Sequence, residues 1–395
     1  MTHTDLTVYG AALCSDCKRA KKFLGEQRVH YHWVDVEQDA AGLQFVEQVN
    51  NGKRIIPTIV FDDTSVLVEP SNAELAAKLG LQTRAKMNYY DVICVGGGPT
   101  GLTTALYAAR EGLEVLVIEK SGLGGQAGVT EKLDNFPGFP DGVNGAEFAD
   151  RLTLQARKFG VEILQAQEVT SIRAEEESRY STTADGNEYG ARAILIATGS
   201  TYRRLEVPGE DELIGAGVHF CATCDGPFYK GQPVAVIGGG NSAGEESLFL
   251  ARFAAKVMIL VRGAAMTASK IVVDKVEESP RIELRYNTEV VELLGAAGGH
   301  LTGLKIRNRV THAIEQIDPA GVFVFIGLSP NSGWLPHSIQ RDQYGFIVTN
   351  PMLETSLTGV FAAGDVRAGS TKQAASAVGE GATAALMIRE YLRQR

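Results

Sequence analysis

A chain of 395 residues exceeds one typical compact domain and suits two or three cores of roughly 150 residues each. Apolar content of 44% and charged content of 22% exclude a largely disordered or fibrous chain. A formal net charge of −9, with no block of basic residues, weighs against a nucleic-acid binder, which needs a Lys/Arg surface to track phosphates.

The first residues, MTHTDLTVYG, lack a basic and an apolar signal region, so no signal peptide is expected. No window approaches the ~18 uninterrupted apolar residues of a membrane span, and the expected location is cytoplasmic. Residues 1–82 predict a small α/β unit. A strand over 6–9 meets CSDC (14–17), a basic helix follows over 18–26, and a strand over 30–36 precedes a helix over 43–49. The apolar 55–61, a strand over 66–68 and a helix over 71–79 complete it, with Ser71 and Glu74 spaced as a capping box. The order β-α-β-α-β-β-α with Cys-x-x-Cys after the first strand suits a thioredoxin-type fold. Residues 83–89 read as a linker.

From residue 90 the order is strand, glycines, helix, strand, and it returns at 233, which predicts two doubly wound nucleotide-binding domains. The first is expected to comprise 90–203 and 321–395, and the second, 204–320, to be inserted in it. The stretches 172–189 and 294–303 read as hairpin tips. In VICVGGGPTG, Gly96, Gly98 and Gly101 stand in G-x-G-x-x-G register, which gives a tight turn, lets a pyrophosphate approach backbone N–H groups, and allows close helix packing. Glu119 ends the next strand, where a carboxylate accepts ribose hydroxyls. VAVIGGGNSAG repeats the device with Gly238, Gly240 and Ala243, but there the second strand ends at Arg262, a cation suited to a 2′-phosphate. Unlike charges at the two ribose positions point to two different dinucleotides, usually a flavin and a nicotinamide. Asp365 ends a strand at a turn, placed for a sugar-chain hydroxyl. Gln373 and Ala374 start a final helix whose N-terminus can stabilise a reduced flavin ring.

CATCDGPFY (221–229) carries the second dithiol, Cys221 and Cys224, with Asp225 placed to hand a proton to a departing thiolate or to serve as a turn residue. His219 reads as structural. In CSDC, Cys14 is expected at a helix N-terminus, with Lys18, Arg19, Lys21 and Lys22 following and Cys17 as the resolving thiol. Pro57, in Ile56-Pro57-Thr58, stands before a strand where either a cis bond against the dithiol or a trans edge proline fits. A zinc site from both pairs is disfavoured by their separation into different domains, and no metal is expected. Cys94 reads as a buried apolar residue.

Residues from about 90 to 395 resemble the bacterial-type, low-molecular-weight thioredoxin reductases through GGGPTGL, GLGGQAGVTEKLDNFPG, ATGS, CATCDGPFY, GGGNSAGEE and AAGDV…KQAASAVGEGA. Residues 1–82 resemble a glutaredoxin of the mycoredoxin-like branch through CSDC, IPTIVF and LVEPSNAEL. The whole chain thus looks like a glutaredoxin–thioredoxin reductase fusion. The resemblance implies FAD in the first doubly wound domain, NADPH in the inserted one, a homodimer, and a nicotinamide domain that rotates between two poses. By family pattern Glu119, Gly125, Gln126, Asn135, Asp365, Gln373 and Ala374 contact FAD, while Gly240, Asn241, Ser242 and Arg262 contact NADPH. The family's His-Arg-Arg after the nicotinamide strand is here Val261-Arg262-Gly263, which leaves one guanidinium. The Gly-Gly of glutathione-binding domains is replaced by Glu69-Pro70-Ser71-Asn72.

The expected activity is NADPH-dependent thioredoxin-disulfide reduction, with electrons passing from NADPH to FAD, to Cys221/Cys224, to Cys14/Cys17 and to an external disulfide. That acceptor is a thioredoxin, a mycoredoxin-type substrate or a peroxiredoxin. Two alternatives stand beside this. One is a donor to a peroxiredoxin resembling the alkyl hydroperoxide reductase flavoprotein. The other is a reductase whose first domain docks a partner without passing electrons.

Overall fold

The computed structural model describes residues 6–11, 13–27, 29–130, 132–133, 135–295 and 299–394, without the side chains of Thr223 and Cys224. The chain is α/β throughout. In the first body the strand Leu6–Gly10 lies between Tyr31–Asp35, its parallel neighbour, and Thr58–Val60, which is antiparallel and pairs on with Val66–Val68. The helix Ser15–Glu26 turns Cys17, Ala20, Phe23 and Leu24 inward at three- and four-residue spacing. Phe23 and Leu24 pack on Leu6, Val8, Ile59 and Leu75. It starts three residues before the expected 18 because Cys14 is itself the N-cap. The helix Ala40–Val49 starts before the expected 43 for a similar reason: Asp39 accepts a hydrogen bond from the Ala41 N–H at 3.0 Å. Ser71 and Glu74 form the expected capping box on Asn72–Lys78.

The second body carries a sheet in the order Glu162–Leu164, Val115–Ile118, Tyr89–Val95, Glu188–Ile196, all parallel, with Val360–Ala362 also parallel to Glu188–Ile196. Buried on both faces, these strands read as continuous apolar runs, and Cys94 is one of their fully buried residues. The stretch 172–189 is not simply a hairpin tip. It supplies most of the strands Val169–Glu175 and Ser178–Thr183, which extend the sheet antiparallel, with turns at 176–177 and 184–187. Helix Pro99–Arg110 packs against the last helix, Ala374–Arg393. A Cβ on Gly381 would stand 2.6 Å from the Thr100 carbonyl oxygen, and the Thr104 hydroxyl donates to the Gly381 carbonyl at 2.8 Å.

The third body has a parallel sheet in the order Val218–His219, Gly321–Val324, Pro233–Ile237, Lys256–Leu260, Ile282–Arg285. Gly321–Val324 was expected in the first doubly wound domain. Its four buried residues instead fill the slot between Val218–His219 and Pro233–Ile237. The crossing back lies just beyond, where Leu328–Pro330 pairs antiparallel with Ser200–Tyr202. Of the expected tip 294–303, residues 296–298 lie outside those described; its flanks are Thr288–Leu294 and Gly303–Asn308 in a three-stranded antiparallel sheet.

Residues 82–88 form a strap bonded to the second body. Gln82 Nε2 and the Lys86 N–H both donate to Glu162 Oε1, whose other oxygen accepts from the Tyr90 hydroxyl at 2.7 Å. The Gln82 carbonyl accepts from the Gln165 N–H at 2.9 Å. The small body also meets the second directly. The Gly122 N–H donates to the Glu26 carbonyl at 2.6 Å, Gln27 Nε2 to the Lys120 carbonyl at 3.0 Å, and Ala166 packs on the small body's core. These contacts use the C-terminal end of helix Ser15–Glu26, about 18 Å along its axis from Cys14.

Candidate active site

In the small body Cys14 is half-buried and Cys17 fully buried, and both are free thiols. The Cys17 N–H donates to Cys14 Sγ at 3.1 Å, so the first turn of the helix gives that sulfur a backbone donor that has no acceptor within the helix. Burial, followed by the hydrogen bond with Cys14, pushes the Cys17 thiol from 9.0 up to about 12. An accessible first sulfur backed by a protonated second one is the arrangement that thiol–disulfide exchange needs. The Ile56–Pro57 peptide is cis, and Cys14 Sγ lies 3.7 Å from the Ile56 carbonyl oxygen. Of the cations expected to favour the Cys14 thiolate, three are engaged elsewhere. Arg19 pairs with Asp16 at 3.0 Å and donates to the Pro70 carbonyl, Lys21 sits over the Trp33 ring, and Lys22 faces Glu26 at 3.9 Å.

At the first glycine turn Gly96 has φ +110, and a Cβ there would stand 2.3 Å from the Ala197 carbonyl oxygen. Gly98 is the N-cap of Pro99–Arg110, and a Cβ on Gly101 would stand 1.9 Å from the Gly96 carbonyl oxygen. Glu119 is buried against this turn and accepts from the Gly97 N–H at 2.6 Å and the Ser121 N–H at 2.7 Å. Gly125, with Gln126 next to it in the turn Gly125–Val129, lies against Gly98: a Cβ on Gly125 would stand 3.3 Å from the Gly98 Cα. Asn135 Nδ2 donates to Gln373 Oε1 at 3.0 Å, which joins two distant predicted flavin residues. Gln373 occupies the N-cap position of Ala374–Arg393, and Ala374 is the first helical residue. Asp365 Oδ1 is buried without a hydrogen-bond partner, and burial raises the carboxyl above its ordinary value. A buried carboxylate oxygen with no protein donor suits a hydroxyl-bearing ligand.

The second glycine turn repeats the first. A Cβ on Gly238 would stand 2.4 Å from the Phe325 carbonyl oxygen, and Gly240 is the N-cap of Asn241–Leu250. Asn241, Ser242 and Arg262 are exposed, and Asn241 Oδ1 accepts from the Ser269 N–H at 2.6 Å. Arg309, which the sequence reading passed over, donates from Nη1 to the Arg262 carbonyl at 3.3 Å.

Cys221 is disulfide-bonded. It precedes the short helix Ala222–Asp225 at the end of the strand Val218–His219. The Cys224 side chain lies outside those described. Burial pushes the Tyr202 phenol up to about 12, helped by the carboxylates of Asp365, Glu246 and Asp225. Tyr202 stacks on Phe220, the residue before Cys221, with ring centroids 5.1 Å apart. Asp365 of the second body and Asp225 of the dithiol turn thus both act on Tyr202, in the connecting strand Ser200–Tyr202. Among the described residues no group of three or more His, Cys, Asp or Glu is gathered to hold a metal ion.

The family model for pyridine nucleotide-disulphide oxidoreductases matches residues 90–381, and the glutaredoxin family model matches residues 6–66. The thioredoxin reductase of Treponema pallidum is 39% identical over 303 residues, covering 77% of this chain and 97% of that one. The chain belongs to the thioredoxin reductase family. Among other members, the bifunctional thioredoxin reductase/thioredoxin of Mycobacterium leprae is 41% identical over 77% of this chain and 66% of its own length. The thioredoxin reductase structure from Streptococcus pyogenes superposes with a TM-score of 0.73 at 36% identity, covering 78% of this chain and 99% of that one. The Lactococcus lactis thioredoxin reductase in its FR conformation reaches 0.55 at 33% identity, covering 78% of this chain and 100% of that one. The glutaredoxin-type body thus adds a second Cys-x-x-Cys pair, with both thiols free, to a thioredoxin reductase core.

Sequence reasoning missed two partners in this family member. Arg309 comes from the far side of a hairpin and leaves no local trace. His219, read as structural, has its Nδ1 3.5 Å from Asp225 Oδ2 and its Nε2 2.6 Å from the Tyr229 hydroxyl. Its signal was its place two residues before Cys221.

Proposed function

We propose that this chain is an NADPH-dependent flavoprotein disulfide reductase that passes electrons from Cys221/Cys224 to Cys14/Cys17 and on to an external protein disulfide. The carrying observation is the small body's site: Cys14 at a helix N-cap, half-buried, with Cys17 buried and protonated behind it. Gly96, Gly98, Gly101, Glu119, Gly125, Gln126, Asn135, Asp365, Gln373 and Ala374 would hold FAD. The partnerless Asp365 Oδ1 and the glycine cradle support that fit. Gly238, Gly240, Asn241, Ser242 and Arg262 would hold NADPH. When bound, the flavin supplies an electron pair taken from NADPH to the Cys221 disulfide.

At the small body, the Cys14 thiolate bonds to one sulfur of the acceptor, whose S–S bond breaks. The other acceptor sulfur leaves with the electron pair and takes a proton. Cys17 then gives up its proton and bonds to Cys14, which releases the second acceptor thiol and leaves the pair oxidised. The acceptor belongs to the thioredoxin, mycoredoxin-type or peroxiredoxin class. The reading includes a homodimer in the cytoplasm. The differing TM-scores against two relatives of similar identity support a nicotinamide domain that takes more than one pose.

The test is Cys14→Ser. Flavin in this variant is expected to bleach with NADPH under anaerobic conditions while protein-disulfide turnover falls to background with each acceptor class. Undiminished turnover would show that electrons leave directly from Cys221/Cys224.

A further inference from the structure

We propose that His219 is a positioning residue for the central dithiol: it orients Asp225 through Nδ1 and returns the proton that Asp225 gives up. This rests on the reading of Asp225 as the acid beside Cys224. Three elements converge on the imidazole. The strand Val218–His219 presents it, the helix Ala222–Asp225 brings Asp225 Oδ2 to 3.5 Å from Nδ1, and the turn Gly226–Tyr229 brings the Tyr229 hydroxyl to 2.6 Å from Nε2. Phe323 lies against both rings, 5.3 Å from His219 and 5.6 Å from Tyr229. Gly321 makes room for the phenol, since a Cβ there would stand 2.5 Å from its ring. The cluster is packed, so its polar atoms are held where they stand.

A carboxylate only accepts, so once the ionised Asp225 closes on Nδ1 that nitrogen must carry the proton. Neutral His219 then has its lone pair on Nε2, where the Tyr229 hydroxyl donates. In the doubly protonated ring Nε2–H donates instead, and the same hydroxyl accepts. Burial and Asp225 push the Tyr229 phenol up to about 12, so its proton stays on at working pH. A hydroxyl can donate or accept, so the Nε2 contact survives whichever way the imidazole proton stands. The 3.5 Å contact is longer than a hydrogen bond, as catalytic contacts often are before a substrate tightens them.

The step balances. A dithiol thiolate bonds to one sulfur of the acceptor disulfide, whose S–S bond breaks. The second sulfur leaves with the electron pair, and Asp225 gives it a proton. The Asp225 carboxylate takes the Nδ1 proton of the imidazolium, and His219 regains one from water. Among the described residues the groups facing His219 are Asp225 on the short helix, Tyr229 on the turn and the uncharged Phe323 on its neighbouring strand. Asp225 in turn acts, with Asp365 and Glu246, on the buried Tyr202 phenol.

The experiment is the pH dependence of protein-disulfide turnover, with oxidised thioredoxin as the alkyl-disulfide substrate whose leaving thiolate needs a proton, by the full-length, FAD-loaded chain, with flavin content as the control for folding. His219→Phe, which keeps a ring and loses both nitrogens, is expected to lower turnover about tenfold and to change the shape of the pH profile. His219→Asn, which restores a donor that cannot titrate, should recover most of the rate at the optimum but not the parent pH profile. If His219→Phe loses its flavin, Tyr229→Phe gives the same reading by removing only the Nε2 partner, and is expected to displace the pH profile of turnover. Unchanged rate and pH profile in these variants, alongside a crippled Asp225→Asn, would overturn the inference alone. A silent Asp225→Asn would overturn the assignment of Asp225 as well.

Discussion

At Cys17 burial sets both chemistry and stability. Its pKa rises from 9.0 to about 12 on folding, so the folded state holds the proton more tightly than the unfolded chain. The stability this contributes is fully present below pH 9 and is lost as pH climbs toward 12. The reduced enzyme should therefore show a falling melting temperature across that window relative to Cys17→Ala, measured by scanning calorimetry under argon. At the other nucleotide end, Arg262→Ala should lower the ratio of kcat/KM for NADPH over NADH by about tenfold, the worth of a charge-assisted hydrogen bond. Arg309→Ala should lower it by a smaller factor. Residue types with a local motif were legible in the sequence: the glycines, the Cys14/Cys17 pair and Glu119 stand where spacing alone puts them. Arg309 and the Asp16-bound Arg19 were not, because a long side chain's partner is chosen by tertiary neighbours that spacing does not reveal.

Elements with their own end signals were also legible. Ser71 and Glu74 announce a helix start, and Ser71→Ala should cost the small body about 1 kcal/mol, read from its denaturant midpoint. The slip at Gly321–Val324 has a different origin. A run of four buried residues says that a strand is covered on both faces, but not which sheet covers it. Its neighbours, Val218–His219 and Pro233–Ile237, lie about a hundred residues earlier, and only the ladder reveals the choice. The helix starts at Ser15 and Ala40 were misjudged for a local reason, namely that Cys14 and Asp39 act as caps ahead of the first apolar residue.

On the scale of the whole molecule, the FAD-loaded chain should take up about three electron pairs in an anaerobic NADPH titration, one in the flavin and one in each oxidised dithiol. Cys14→Ser should remove one of them. The strap adds a constraint that a free tether would not. Glu162→Ala frees Gln82 Nε2, the Lys86 N–H and the Tyr90 hydroxyl together, and limited proteolysis should then cut within 82–88 far faster than in the parent.

That same strap decides how the first 83 residues can be silenced. Deleting them uncovers Ala166 and deprives Glu162, Lys120 and Gly122 of the bonds they make to the missing segment. A shortened enzyme would thus suffer from a stripped wall as well as from absent sulfur, and the two injuries would be read as one. Exchanging two sulfur atoms for oxygen leaves the masonry standing and asks only about the current.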